Sequence, residues 1–290
     1  MIPKSKSIII LGHSGFIGSH LEQLLSNSED WDVIGRSLPD IDLTNQEDTS
    51  RLIPFFVPEA TLVLAAAVKR QFGDTLETYL SNMAIIENVC WLLEAYPIKR
   101  VIFMSSAAVY GEETENLDIH ELTPVNPTSY YGINKYTGER LLSKTCAATQ
   151  KTSLVCLRPP LIYGPNDQGR TYGPAGFFAA AMDGSPITLW GDGSELREFI
   201  YIDDLCRVIE FLVNSHFQGE LNVVSGVSYC FSDVLRILRR KVINLEVNTK
   251  PRSKNKVDNA FNPQKIKSLL PNDFQYTTLE NGLDRIFHQY

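Results

Sequence analysis

The stretch SIIILGHSGFIG, residues 7–18, constrains the fold more than any other part of the chain. Its first half is a short β-branched run closed by a glycine, the pattern of a strand buried on both faces. Its second half opens FIGSHLEQLLSN (16–27), where Phe16, Ile17, Leu21, Leu24 and Leu25 recur at helical spacing. Glycines stand between the two at 12, 15 and 18. Strand, glycine turn and helix in this order begin a parallel α/β sheet. Gly12 permits the tight turn, Gly15 lets a pyrophosphate reach the backbone, and Gly18 lets the helix pack closely on the strand. The helix N-terminus then offers free N–H groups to an anion. Three glycines alone also suit a purely structural turn, and His13 and Ser14 read as loop filler rather than as reacting groups.

Further strands are read at DVIGR (32–36), TLVLAAAV (61–68), RVIFMSS (100–106) and TSLVCLRP (152–159), with helices at 79–96 and 129–149. Their alternation predicts a doubly wound parallel sheet. After residue 164 the alternation stops and glycine and proline become frequent. Residues 1–164 are therefore read as a cofactor-binding lobe and 165–290 as mainly a smaller, substrate-binding lobe. Residues 198–219 are expected to return to the first lobe as one more strand and helix. The chain has 290 residues, 43% of them apolar, enough for a sizeable core. A net charge of −7 argues against a general nucleic-acid or membrane-surface binder. The five cysteines, at 90, 146, 156, 206 and 230, are odd in number and contain no C-x-x-C pair. Neither a disulfide framework nor a zinc site is expected, and reduced thiols in a cytoplasmic protein fit best. The apolar run before the glycines is too short for a signal peptide or a membrane span.

Cofactor choice is read where the second strand ends. An acid there binds the adenosine ribose hydroxyls, but this strand ends Gly35–Arg36–Ser37. Arg36 either pairs with a 2′-phosphate through two hydrogen bonds or is a solvated loop residue. The reading leans to NADP(H) over NAD(H). In SYYGINK (129–135), Tyr131 and Lys135 lie one helical turn apart and share a face, whereas Tyr130 has only uncharged Asn134 at that offset. A phenol of pKa ~10 is a poor base at neutral pH. A nearby ammonium and a positive nicotinamide ring both favour phenolate, and a shift of about three units takes roughly 4 kcal/mol. Tyr131 can then exchange a proton with a substrate hydroxyl while a hydride moves. Y-x-x-x-K is common by itself. MSSAAVYG (104–111) strengthens it, because a strand running into small polar residues places a serine at the C-terminal edge of the sheet. Its hydroxyl can hold the reacting oxygen.

With these segments, DLTN (42–45), LAAAVK (64–69), SNM (81–83), LRPPLIYGP (157–165), GDGSELREFIYIDDL (191–205) and NVVSG (222–226), the chain resembles the extended short-chain dehydrogenase/reductases, the NAD(P)-dependent nucleotide-sugar epimerase/dehydratase family. The resemblance implies a Rossmann lobe with a smaller C-terminal substrate lobe, a nucleotide-sugar substrate and a homodimer. It implies that Ser106, Tyr131 and Lys135 are catalytic, with Lys135 also on the nicotinamide ribose. Gly12, Gly15, Phe16, Ile17, Gly18, Asp42, Leu43, Ala65, Ala66, Lys69, Asn82 and Pro160 fall on the cofactor side. Ser105, Arg197 and Arg252 fall on the substrate side, the arginines against a diphosphate. The departures matter too. Ala107–Ala108 stand where the family's 4,6-dehydratases carry an Asp–Glu pair, and Ala107 where fucose-synthase-like members carry a cysteine. Leu161 replaces an asparagine of galactose-type 4-epimerases, and Ser37 their NAD-selecting aspartate. Hydride transfer at C4 survives these changes. The expectation is a 4-keto nucleotide-sugar reductase, with a 4-epimerase as the alternative and a non-catalytic nucleotide-binding protein as a third reading.

Overall fold

The computed structural model describes residues 6–68, 73–167, 173–252 and 255–289. In chain order the strands are β1 (Ser7–Leu11), β2 (Asp32–Arg36), β3 (Thr61–Leu64), β4 (Arg100–Met104), β5 (Asn116–Ile119), β6 (Ser153–Arg158), β7 (Leu161–Tyr163), β8 (Ile187–Trp190), β9 (Leu196–Tyr201), β10 (Gly219–Asn222), β11 (Ser228–Cys230), β12 (Val247–Lys250) and β13 (Asn259–Phe261). The helices are α1 (Phe16–Ser26), α2 (Gln46–Thr49), α3 (Leu76–Ala95), α4 (Tyr130–Thr149), α5 (Gly173–Met182), α6 (Ile202–Asn214), α7 (Phe231–Arg239), α8 (Gln264–Leu269) and α9 (Leu279–Phe287). Among the described residues, no helix is long and apolar enough to cross a membrane. All five cysteines are free thiols.

The chain divides into two compact units. The first comprises 1–111, 125–158 and 206–221. Its six-stranded sheet has the order β10-β6-β4-β3-β1-β2. The β1–β2, β1–β3, β3–β4 and β4–β6 pairs are all parallel. Strands β3 and β4 are buried along their whole length. Such strands are covered on both faces, which is why TLVL and RVIFM read as unbroken apolar runs rather than alternating ones. From β1 the sheet grows one way to β2 and the other way through β3, β4 and β6. The order therefore reverses at β1/β3, and ligand crevices in open α/β sheets form at the carboxyl ends of strands beside such a reversal. One face carries a core in which Ile9, Leu11, Leu62 and Phe103 of the sheet meet Ile85, Val89 and Leu92 of α3 and Leu142 of α4.

The second unit comprises 112–124, 159–205 and 222–290. It contains a three-stranded sheet, β11-β9-β7, and two strand pairs, β12-β8 and β13-β5. Phe199 and Tyr201 of β9 pack there with Phe177 and Phe178 of α5, Leu235 of α7 and Leu283 of α9. Three boundaries differ from the sequence expectation. Residues 159–164, read with the first lobe, belong to the second unit, because β7 pairs with β9. The segment 198–201 does not rejoin the first unit, because β9 is hydrogen-bonded to β7 and β11, so the return begins at Cys206, within α6. Residues 112–124 leave the first unit, because β5 pairs with β13. The strand read over 61–68 ends at Leu64, and the one read over 100–106 ends at Met104.

Candidate active site

The glycine turn after β1 has the close contacts that its sequence implies. Gly12 has φ +91°, and a Cβ there would lie 2.6 Å from the Ala66 nitrogen. A Cβ on Gly18 would lie 2.1 Å from the Gly12 oxygen. Only glycine fits either place without moving backbone. The Gly12 N–H donates to Arg36 O at 2.8 Å and the Ala65 N–H to Leu11 O at 2.9 Å, so the ends of β1, β2 and β3 are tied together under the turn. Gly15 caps α1 with no side-chain hydrogen bond, and the first turn, which begins with Phe16 and Ile17, carries no acid. Among the described residues, neither the cap nor the first turn thus offers these N–H groups an anion, which fits the phosphates of a dinucleotide. His13 pairs with Glu22 at 3.0 Å, and the Ser37 hydroxyl donates to that of Ser14 at 2.7 Å.

Arg36 lies with its guanidinium over the Phe55 ring, 4.8 Å from the centroid, and donates to Gly35 O at 2.6 Å. The Asp42 carboxylate accepts from the Thr44 N–H at 2.9 Å and the Thr44 hydroxyl at 2.7 Å. Leu43 is buried, and its carbonyl accepts from the Asn88 amide at 2.8 Å. Asn82 of α3 closes a two-bond ring with Val68, accepting from its N–H at 2.7 Å and donating to its carbonyl at 3.2 Å. It therefore fixes the segment that carries Ala65 and Ala66. Lys69 lies outside the described residues.

The catalytic candidates sit on β4's outflow and on α4. Ser106 caps the short 3-10 turn Ala107–Tyr110, and its hydroxyl oxygen accepts from the Ala108 N–H at 3.2 Å. Tyr131 stands in the first turn of α4, whose N-cap, Ser129, accepts from the Gly132 N–H at 3.0 Å. The Tyr131 backbone N–H donates to Asp74 at 2.9 Å. A Cβ on Gly132 would come within 2.7 Å of the Ala108 oxygen, so this glycine lets α4 close onto the turn that follows Ser106. Lys135 is buried, one turn further along. Its Nζ lies 5.6 Å from the Tyr131 ring centroid and donates to Met104 O at 2.7 Å. Burial drives its pKa from the ordinary lysine value down to about 8, while the charge of Glu139 pulls it upward. Tyr130 is 41% exposed and packs against Tyr79.

Beneath this face lies a buried group that sequence reasoning missed. Arg158 at the end of β6 donates to both oxygens of Glu139, Nε at 2.8 Å and Nη2 at 2.6 Å. Its Nη1 donates to the Tyr110 hydroxyl at 3.0 Å. Ser105, expected beside the substrate, is buried and donates its hydroxyl to Glu139 instead. Burial opposes the charge on Arg158, but the hydrogen bonds and charge of Glu139 outweigh it and hold the guanidinium pKa above its usual value. The signal was present in part: Tyr131, Lys135 and Glu139 recur every four residues on one helical face.

The remaining predicted residues belong to the second unit. Pro160 lies between β6 and β7. Arg197 and Arg252 come together about one carboxylate: Arg197 Nη2 is 3.4 Å from one oxygen of Glu195 and Arg252 Nε 3.4 Å from the other. Arg197 also donates to Val257 O at 2.6 Å, and Arg252 to Asp192. Two cations on one edge suit a diphosphate, yet here they are neutralised by two carboxylates.

A family model described as the NAD dependent epimerase/dehydratase family matches residues 8–224. A putative GDP-L-fucose synthase 2 of Arabidopsis thaliana is 28% identical over 83% of this chain and 78% of its own length. A GDP-6-deoxy-D-talose 4-dehydrogenase of Aggregatibacter actinomycetemcomitans is 24% identical over 97% of this chain and 96% of its own. Among solved structures, the UDP-glucose 4-epimerase of Thermus thermophilus in complex with NAD superposes with a TM-score of 0.80 at 24% identity, over 97% of this chain and 99% of that one.

Proposed function

Because the chain belongs to the NAD dependent epimerase/dehydratase family, we propose that it transfers a hydride at C4 of a nucleotide-activated sugar, acting as a 4-keto nucleotide-sugar reductase with NADP(H). The observation that carries this reading is the buried Lys135 ammonium beneath the Tyr131 ring, 5.6 Å from its centroid. Such a charge stabilises the phenolate that remains when Tyr131 gives its proton to the C4 oxygen. Ser106 donates a hydrogen bond to the same oxygen and holds it in line. A bound nicotinamide dinucleotide supplies the hydride. Tyr131 then regains a proton from solvent, so the sum is one hydride and one proton added across the carbonyl.

Support for reduction comes from what the turn after Ser106 lacks. Ala107 and Ala108 offer no acid–base pair for dehydration, and Ala107 no base for epimerisation at C3 or C5. The end of β2 supplies Arg36 and Ser37 in place of an acid, which suits a 2′-phosphate and a cofactor that leaves after each turnover. The name of the Aggregatibacter relative also places oxidoreduction at C4 in that protein. On the substrate side, Arg197 and Arg252 take the diphosphate in exchange for their present partners, Glu195 and Asp192. The proposal is completed by a cytoplasmic homodimer without nucleic-acid or membrane partners, in keeping with the net charge of −7.

A second reading, a 4-epimerase that retains NAD, is favoured by one observation: Arg36 is engaged by Phe55 and Gly35, contacts that a packing role alone would make. The test is purified protein with NADPH and a 4-keto-6-deoxy nucleotide sugar. The expected result is loss of NADPH absorbance equimolar with the 4-hydroxy product. Interconversion of C4 epimers without added cofactor would establish the epimerase instead. Neither change would point to the non-catalytic nucleotide-binding protein.

A further inference from the structure

The Glu139–Arg158 pair spends its hydrogen bonds in an unusual place. Ser105, immediately before Ser106, donates to Glu139, and Tyr110, which ends the 3-10 turn that Ser106 caps, receives the Nη1 proton of Arg158. The residues on both sides of Ser106 are therefore anchored to one ion pair, which joins α4 to β6 underneath. Lys135 adds a further rung by donating to Met104 O, one residue before Ser105. Lys135, Glu139 and Arg158 are 4%, 2% and 4% exposed. Stability is a weak reason to keep such a pair, since buried ion pairs are often replaceable by apolar side chains at no loss. Holding a hydroxyl still is a better one.

We propose that Ser105, Tyr110, Glu139 and Arg158 form a positioning set for the reaction, which fixes the height and direction of the Ser106 hydroxyl by tying down the chain before and after it. This rests on the reading in which Ser106 and Tyr131 carry out the chemistry. Ser105 is then no substrate contact: its hydroxyl is turned inward and acts on the substrate only through its neighbour. The four residues come from β4's outflow, the 3-10 turn, α4 and β6, so the set forms only when the sheet and the catalytic helix are docked.

The test uses the full-length enzyme and the reductase assay, with Ser105→Ala and Tyr110→Phe, which each delete one hydroxyl and leave the ion pair whole. Each is expected to lower kcat by about tenfold, within the range that a small misplacement of a catalytic group produces. KM and the cofactor dissociation constant should stay near wild type, as should the melting temperature. The decisive variant is the double mutant. In a Ser106→Ala background, Ser105→Ala should cost no further turnover, because nothing is left to position. Wild-type kcat in both single variants would overturn the proposal and leave the network a purely structural one. An equal loss from Ser105→Ala with and without Ser106 would also overturn it, showing that Ser105 meets the substrate directly. Wild-type turnover in Ser106→Ala would remove the catalytic assignment itself, and the positioning set with it. That outcome is distinct from failure of the set alone, in which Ser106→Ala is slow and Ser105→Ala is not.

Discussion

Two tyrosines adjoin at the start of α4, and their surroundings separate them. Tyr131 lies above the buried Lys135 ammonium, whereas Tyr130 is half exposed against Tyr79. Tyr131→Phe should lose about 10²–10⁴-fold in kcat, the usual share of a general acid–base group, with the cofactor dissociation constant little changed. Tyr130→Phe should be mild, and a severe Tyr130 variant would refute the assignment in steady-state kinetics. Lys135 carries a second consequence. Its pKa falls to about 8 on folding, chiefly by burial, so the unfolded chain binds the extra proton between about pH 8 and the ordinary lysine value. Stability therefore rises with pH across that window, and below it the full cost of the buried charge is present. Lys135→Met should raise the melting temperature at pH 7 while abolishing turnover, and its advantage should shrink towards pH 10. A melting temperature below wild type at pH 7 would show that the hydrogen bond to Met104 outweighs the desolvation. The Ser106–Tyr131–Lys135 reading was available from the chain because two of the three share a helical face and the third closely follows a strand. The partnership of Glu139 with Arg158 was not: although Glu139 shares that helical face, its meeting with Arg158 depends on α4 docking on β6, a long-range contact that no local spacing announces.

At the scale of elements, glycine and apolar pattern placed β1, α1, β2, β4, α4 and β6 within a few residues of where they lie, because strands covered on both faces leave unbroken apolar runs. The reading failed at β9. EFIYI is as apolar as any strand of the first sheet, and apolarity does not say which sheet a strand joins. Pairing with β7 and β11 decides it. The end of β2 is the element whose chemistry is most open to trial. There Arg36 stacks on Phe55 and Ser37 donates to Ser14, a polar edge without an acid. If the guanidinium takes a 2′-phosphate, Arg36→Ala should weaken NADP(H) by about 10- to 150-fold, the worth of a hydrogen bond to a charged group at roughly 1.5–3 kcal/mol. NAD(H) should scarcely respond. Both dissociation constants are needed, at one ionic strength, because exposed pairs are screened by salt. Equal loss for the two cofactors would assign Arg36 to packing on the adenine. No loss for either would remove the main support for the reductase over the epimerase.

For the whole molecule, the decisive feature is how often the chain changes unit. It runs through 1–111, 112–124, 125–158, 159–205, 206–221 and 222–290, alternating between the two and so crossing five times. Neither unit is a continuous piece of sequence. If the second unit melted alone, 112–124 and 159–205 would become loose loops closed by the first, with an entropic cost that grows with their length. Helix α6 would lose the ordered strand that runs directly into it, since β9 ends at Tyr201 and α6 begins at Ile202. β10, which edges the first sheet beside β6, would keep an ordered neighbour in the chain only on its α6 side. Unfolding should therefore be a single transition, although two-lobed chains often show two. The tryptophans are well placed to report it: Trp31 and Trp91 belong to the first unit and Trp190 to the second. Leu283, fully buried in the core of the second unit, supplies the perturbation. Leu283→Ala should cost about 2–5 kcal/mol. In urea, the midpoint followed through Trp31 and Trp91 in a Trp190→Phe background should fall by as much as the midpoint followed through Trp190 with the other two replaced. A first-unit midpoint that stayed put while the second moved would show that five crossings do not couple the units, and that each folds on its own.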